Sequence, residues 1–110
     1  FLITARKEID KNNAYFVYYR NVKSGNKVVN ARQALLDIGI IKISEIWNHI
    51  KELQPSDCFR ISRDRDFSRD FNAEIYEFKK NINRKNVYIK LTINDKGLLC
   101  ISFHIDNGGN

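Results

Sequence analysis

The stretch Asn86-Val-Tyr-Ile-Lys-Leu-Thr-Ile-Asn-Asp-Lys-Gly-Leu-Leu-Cys-Ile-Ser-Phe-His-Ile105 decides the fold. Val87, Ile89, Leu91 and Ile93 alternate with Tyr88, Lys90 and Thr92; Leu99, Ile101, Phe103 and Ile105 alternate with Cys100, Ser102 and His104. Period-two alternation broken by a turn signal is a half-buried β-hairpin. The spacing predicts a three-residue loop, Asp95-Lys96-Gly97, with glycine where a left-handed backbone is needed. In that register Asn94 faces Leu98, Leu91 faces Ile101 and Ile89 faces Phe103, an apolar face. On the other face Thr92 meets Cys100, Lys90 meets Ser102 and Tyr88 meets His104. A one-residue slip would mix the faces, which favours this pairing. Paired side chains sit about 5 Å apart, so a phenol, an ammonium and an imidazole share one polar patch.

Upstream of the hairpin, Ala73 to Lys80 reads as a strand with Tyr76 and Phe78 on one face and Ile75 and Glu77 on the other. Asp57 onward reads as another, with Phe59 and Ile61 inward and Cys58, Arg60 and Ser62 outward. Between them, Arg63 to Asp70 alternates charges without apolar periodicity, a loop that could meet phosphates through Arg63. The first half is helical. Phe1 to Asp10 is a short amphipathic segment ended by Asn12-Asn13. Val28 to Ile38, with Asn30 as a cap and Gly39 as its stop, is a second helix. Glu45 to Leu53, capped by Ser44, is a third, with Ile46, Trp47, Ile50 and Leu53 as its buried stripe. His49 lies beside that stripe, where a satisfied half-buried histidine is the ordinary reading. Asn21 to Lys27 reads as a loop. Ala14 to Tyr19 is aromatic and β-branched, an edge strand whose tyrosines could stack on bases.

The expected fold is α+β, with helices packed on the apolar face of an antiparallel sheet. One domain spans residues 1–110, with a frayed tail at 106–110. A net charge of +6 and a pI near 9.4 favour an anionic partner. No apolar run approaches the roughly 20 residues that cross a bilayer, and the opening run, short and soon charged, is not expected to act as a signal peptide. Cys58 and Cys100 fit a reducing cytoplasm better than a disulfide scaffold.

The polar face suits phosphodiester cleavage in RNA. A 2′-hydroxyl must lose a proton, the 5′-oxygen must gain one, and charge builds on the phosphoryl oxygens. His104, as an imidazole of ordinary pKa about 6.5, can move the proton. Arg60 and Lys90 can neutralise the phosphate. Tyr88 can orient the 2′-hydroxyl or stack a base. Arg60, Tyr88 and His104 are therefore the candidate catalytic residues. Lys90, Ser102, Asn72 and Arg63 are candidate substrate-binding residues. Metal or cofactor chemistry is not indicated: the two histidines are far apart, no Cys-x-x-Cys occurs, and Asp64, Asp66 and Asp70 lack an EF-hand pattern.

The runs Asn86-Val-Tyr-Ile-Lys-Leu91 and Leu98-Leu-Cys-Ile-Ser-Phe-His104 resemble the C-terminal hairpin of MqsR-family toxins. The segment Asn30 to Ile40, the helix to Leu53 and Ser56-Asp-Cys-Phe-Arg60 look like the same family's central part. The resemblance implies a RelE-like fold and a ribosome-independent mRNA endonuclease silenced by a cognate antitoxin, with no direct role on DNA. It also implies a polar active face of Lys, Gln, Tyr and Lys. By position these fall on Arg60, on Ala73 or its neighbour Asn72, on Tyr88 and on His104. The competing expectations are a basic RNA- or protein-binding module that does not cut, and an inhibitor protein on the same scaffold.

Overall fold

A computed structural model describes residues 1–62 and 74–106. Arg63, Asn72, the charge-alternating loop and the tail from 107 lie outside the described residues. The elements in order are α1 (Leu2–Asp10), β1 (Ala14–Phe16), β2 (Asn21–Ser24), β3 (Lys27–Asn30), α2 (Ala31–Ile38), α3 (Glu45–Lys51), a 3-10 turn at Pro55–Asp57, β4 (Cys58–Ser62), β5 (Ile75–Ile82), β6 (Lys85–Asn94) and β7 (Gly97–Ile105). The class is α+β. A five-stranded sheet runs β1-β7-β6-β5-β4, and β2-β3 form a separate two-stranded ribbon. Among the described residues no helix is long and apolar enough to cross a membrane.

The core forms because α1, α2 and α3 lay their apolar stripes on one sheet face. Leu2, Ala5, Leu35, Ile38, Ile46 and Ile50 from the helices meet Phe78, Ile82, Val87, Ile89, Leu91 and Phe103 from the strands. Burying one such side chain is worth about 1.5–3 kcal/mol. Asn30 caps α2 as expected: its Oδ1 accepts from the Gln33 amide at 2.8 Å. Gly39 ends the helix with φ 94°. Asn83 and Arg84 form the β5–β6 turn with φ values of 51° and 67°, the sign a tight hairpin requires. The Asn83 amide also donates to the Ile38 carbonyl at 3.0 Å, tying that turn to the end of α2.

Several expectations are corrected. The sheet is mixed, because β1 runs parallel to β7, with Ala14 opposite Leu98. The chain leaves α1 beside the start of β7, where the Leu98 amide donates to the Asn13 carbonyl at 2.9 Å, so β1 runs in the direction of β7. It ends at Phe16, leaving Tyr18 and Tyr19 exposed beyond it. Helix α2 begins only at Ala31. Residues before it pair back on Asn21–Ser24 around Gly25-Asn26, where β-branched Val28 and Val29 suit a ribbon. Ser44 precedes α3 without a side-chain cap, and Trp47 is only half-buried.

The hairpin register holds at one end and slips at the other. Tyr88 faces His104, Ile89 faces Phe103 and Lys90 faces Ser102, as expected. Nearer the turn, however, Asn94 pairs with Gly97, Thr92 with Leu99 and Leu91 with Cys100. Ile101 is the extra residue that absorbs the slip, a β-bulge. Gly97, not Leu98, opens β7; its φ is 131°, and an added Cβ would lie 2.2 Å from the Asn13 carbonyl oxygen. Leu98 and Cys100 therefore join the core, so Cys100 is not on the polar face. Both cysteines are free thiols.

Strand β4 has the same device. Cys58 faces Phe78, but Arg60, not Phe59, faces Glu77. In a regular strand Arg60 would share the core-side face of Cys58; the bulge turns it to the other side. Phe59 and Ile61, expected inward, are exposed instead because β4 is the last strand in the sheet order.

Candidate active site

The sheet face opposite the helices carries an open cleft of about 580 Å³. It gathers Arg60 from β4, Lys79 from β5, Tyr88 and Lys90 from β6, and Ser102 and His104 from β7. Thus five of the residues singled out from the sequence, Arg60, Tyr88, Lys90, Ser102 and His104, line one surface. Arg20, Phe59, Lys79 and Asp106 complete the wall. Sequence periodicity had no means of placing Arg20 there, since it follows β1 in an irregular segment. Lys79 lies 3.4 Å from Asp106 and 4.7 Å above the Phe59 ring.

The organising group was not foreseen. Glu77 is only 2% exposed. Its carboxylate accepts from Arg60 Nε and Nη2 at 2.6 and 2.7 Å and from Ser62 Oγ at 3.0 Å. It also accepts from the Tyr88 hydroxyl. Burial alone would raise its pKa, but the Arg60, Tyr88 and Ser62 hydrogen bonds outweigh that and hold it at about 2. The hydrogen bond and charge of Glu77 in turn raise Arg60 further. Burial, followed by the Glu77 hydrogen bond, pushes the Tyr88 phenol well above its ordinary range. Tyr88 therefore stays protonated at neutral pH. In the sequence Glu77 showed only the alternation that puts it on one face of β5 with Lys79.

His104 departs from the expected solvated position. It is buried, 8% exposed, although it lines the cleft. Tyr88 stacks on it, with ring centroids 5.2 Å apart and planes 28° apart. Nδ1 is 2.8 Å from the Ile105 carbonyl oxygen, which can only accept, so the neutral ring carries its proton on Nδ1. Nε2 is then the proton-accepting atom. Burial lowers the His104 pKa, partly offset by that backbone hydrogen bond. Ser102 is likewise buried, at 4% exposed. His49 sits across the sheet, 6.4 Å from Phe103 by ring centroid, outside the cleft.

Chemically, the cleft offers fixed cations, one neutral imidazole and hydroxyl donors around a space open to solvent. No family model and no curated protein matches this chain.

Proposed function

We propose that this protein is a metal-independent endoribonuclease of the toxin class, acting on mRNA in the cytoplasm and neutralised by a cognate antitoxin. In this reading His104 Nε2 takes the proton of the 2′-hydroxyl. The 2′-oxygen attacks the adjacent phosphorus, and the bond to the 5′-oxygen breaks. Solvent in the open cleft protonates that leaving oxygen. The products are a 2′,3′-cyclic phosphate and a 5′-hydroxyl. Arg60 and Lys90 neutralise the charge that builds on the phosphoryl oxygens. The Tyr88 hydroxyl and Ser102 orient the ribose and phosphate.

The observation that carries the proposal is that a neutral imidazole with a defined acceptor nitrogen shares one cleft with Arg60 and Lys90. A positioned proton-transfer group of this kind contributes about 10²–10⁴ in rate. The resemblance of the β6–β7 residues to MqsR-family toxins points the same way. A second reading, a basic module that grips RNA or a protein without cutting it, is favoured by one observation: Glu77 already occupies both Arg60 and Tyr88.

The test is incubation with a mixed RNA pool in EDTA, followed by mapping of the ends. Cuts bearing 2′,3′-cyclic phosphates, slowed by about 10²–10⁴ with H104A, are expected. RNA that is bound with a steep salt dependence but stays intact would overturn the nuclease reading and establish the binding module.

A further inference from the structure

Glu77 takes no part in the reaction just described, yet its carboxylate holds two of the cleft's side chains, Arg60 and Tyr88. It joins three strands: Arg60 and Ser62 from β4, itself from β5, and Tyr88 from β6. We infer that Glu77 is the positioning residue of the cleft: its carboxylate fixes the Arg60 fork and the Tyr88 hydroxyl toward a phosphodiester without itself meeting the substrate. The inference takes its substrate from the nuclease reading and its geometry from the hydrogen bonds.

Arg60 needs such a partner. Its side chain is 61% exposed, on the last strand in the sheet order, and an exposed arginine samples many rotamers. Glu77 engages Nε and Nη2, the side edge of the guanidinium. The end edge, formed by Nη1 and the second Nη2 hydrogen, is not used by Glu77. That edge has the spacing to grip two phosphate oxygens at once. The contact with Glu77 therefore orients Arg60 while leaving it able to bind.

Tyr88 is set by the same carboxylate. Its hydroxyl donates to Glu77 and lies against the Arg60 guanidinium, so the phenol is held in one orientation in the cleft wall. Glu77 is too enclosed for a direct role, since it does not line the cleft. With a pKa of about 2 it is also a poor base near neutrality. The bulge in β4 belongs to the same arrangement, because it places Arg60 opposite Glu77.

The test compares E77Q and E77D with the unaltered protein. Three quantities are read: RNA cleavage kinetics, affinity for a non-cleavable 2′-O-methyl RNA oligonucleotide, and the ultraviolet titration of Tyr88, assigned by difference from Y88F. Expected for both variants are a kcat lower by about 10- to 10²-fold with a much smaller change in KM, and severalfold weaker oligonucleotide binding. E77Q should also move the Tyr88 titration down toward 10.0. A purely structural role would lower the urea midpoint while leaving the kcat and oligonucleotide affinity of the folded protein unchanged. Unchanged kcat and Tyr88 titration in folded E77Q overturns the inference, and so does a loss of folding in both variants. If the unaltered protein cuts no RNA, the nuclease reading falls, but oligonucleotide affinity and the Tyr88 titration still decide the role of Glu77.

Discussion

Strands β5 and β6 pair without interruption, whereas β4 and β7 each carry one extra residue against a neighbour. The regular pair supplies Glu77, Lys79, Tyr88 and Lys90 to the cleft face by simple alternation. The bulged pair supplies Arg60, Ser102 and His104 by breaking it. Leu98 and Cys100 point into the core, and without the extra Ile101 the even-numbered residues after them would follow. Cys58 and Arg60 stand in the same relation. Two local irregularities thus bring a guanidinium and an imidazole to a face they would otherwise miss, in keeping with the tendency of bulges to sit beside active sites.

The largest effect should come from removing that irregularity. Deleting Ile101 forces either Leu98 and Cys100 out of the core or Ser102 and His104 into it. Destabilisation of about 3 kcal/mol or more, read by urea denaturation, is expected. A stable deletion variant that still cuts RNA would show that the bulge does not matter. H104A leaves the backbone alone and should slow cleavage by about 10²–10⁴, with the fold retained by circular dichroism. On a regular strand, I89A should do the reverse. It should cost about 2–5 kcal/mol of stability, while whatever fraction stays folded cuts at the normal rate.

Acid should probe the two strand types together. Glu77, on a regular strand, has a folded pKa of about 2 against an ordinary 4.5. The unfolded chain therefore binds more protons between those values, so this stability is present above pH 4.5 and lost as pH falls toward 2. Discounted for the solvent around Arg60, the loss is about 1–3 kcal/mol. His104, on a bulged strand, is also lowered from 6.5, so its contribution begins to be lost as pH falls through 6.5. Urea midpoints across this range should decline in two stages, the lower one flattened in E77Q; a single E77Q-independent decline would contradict the assignment. The smallest effect belongs to K90A. Its stability should change by less than about 0.5 kcal/mol, while the slope of log affinity against log salt for single-stranded RNA becomes shallower by about 0.7.

The same contrast explains what was legible in the sequence. The β6 pattern fixed its own faces and, at the far end, the Tyr88–His104 and Lys90–Ser102 pairs. The bulge at Ile101 was invisible because Leu98, Leu99 and Ile101 are all apolar, so a slip confined to the turn end of the hairpin leaves no mark in the pattern. Arg60 and Ser62 were placed on the correct face although Cys58 was not, since period two carries no mark of an inserted residue. Residues 28–30 looked helical because they lead into the helical run that Asn30 caps; pairing across the Gly25-Asn26 turn outweighed that extension. Glu77 escaped notice because its importance lies in three partners that are distant in sequence, and no local spacing records them.

Strand β7 lies between β1 and β6, so β1, made early, waits for a partner made much later. On a ribosome, residues 97–105 must clear the exit tunnel before the sheet can close, and His104 is among the last of the described residues to appear. Completion of the cleft therefore waits for β7: an elongating chain carries Arg60 and Tyr88 for some time before it carries a finished site.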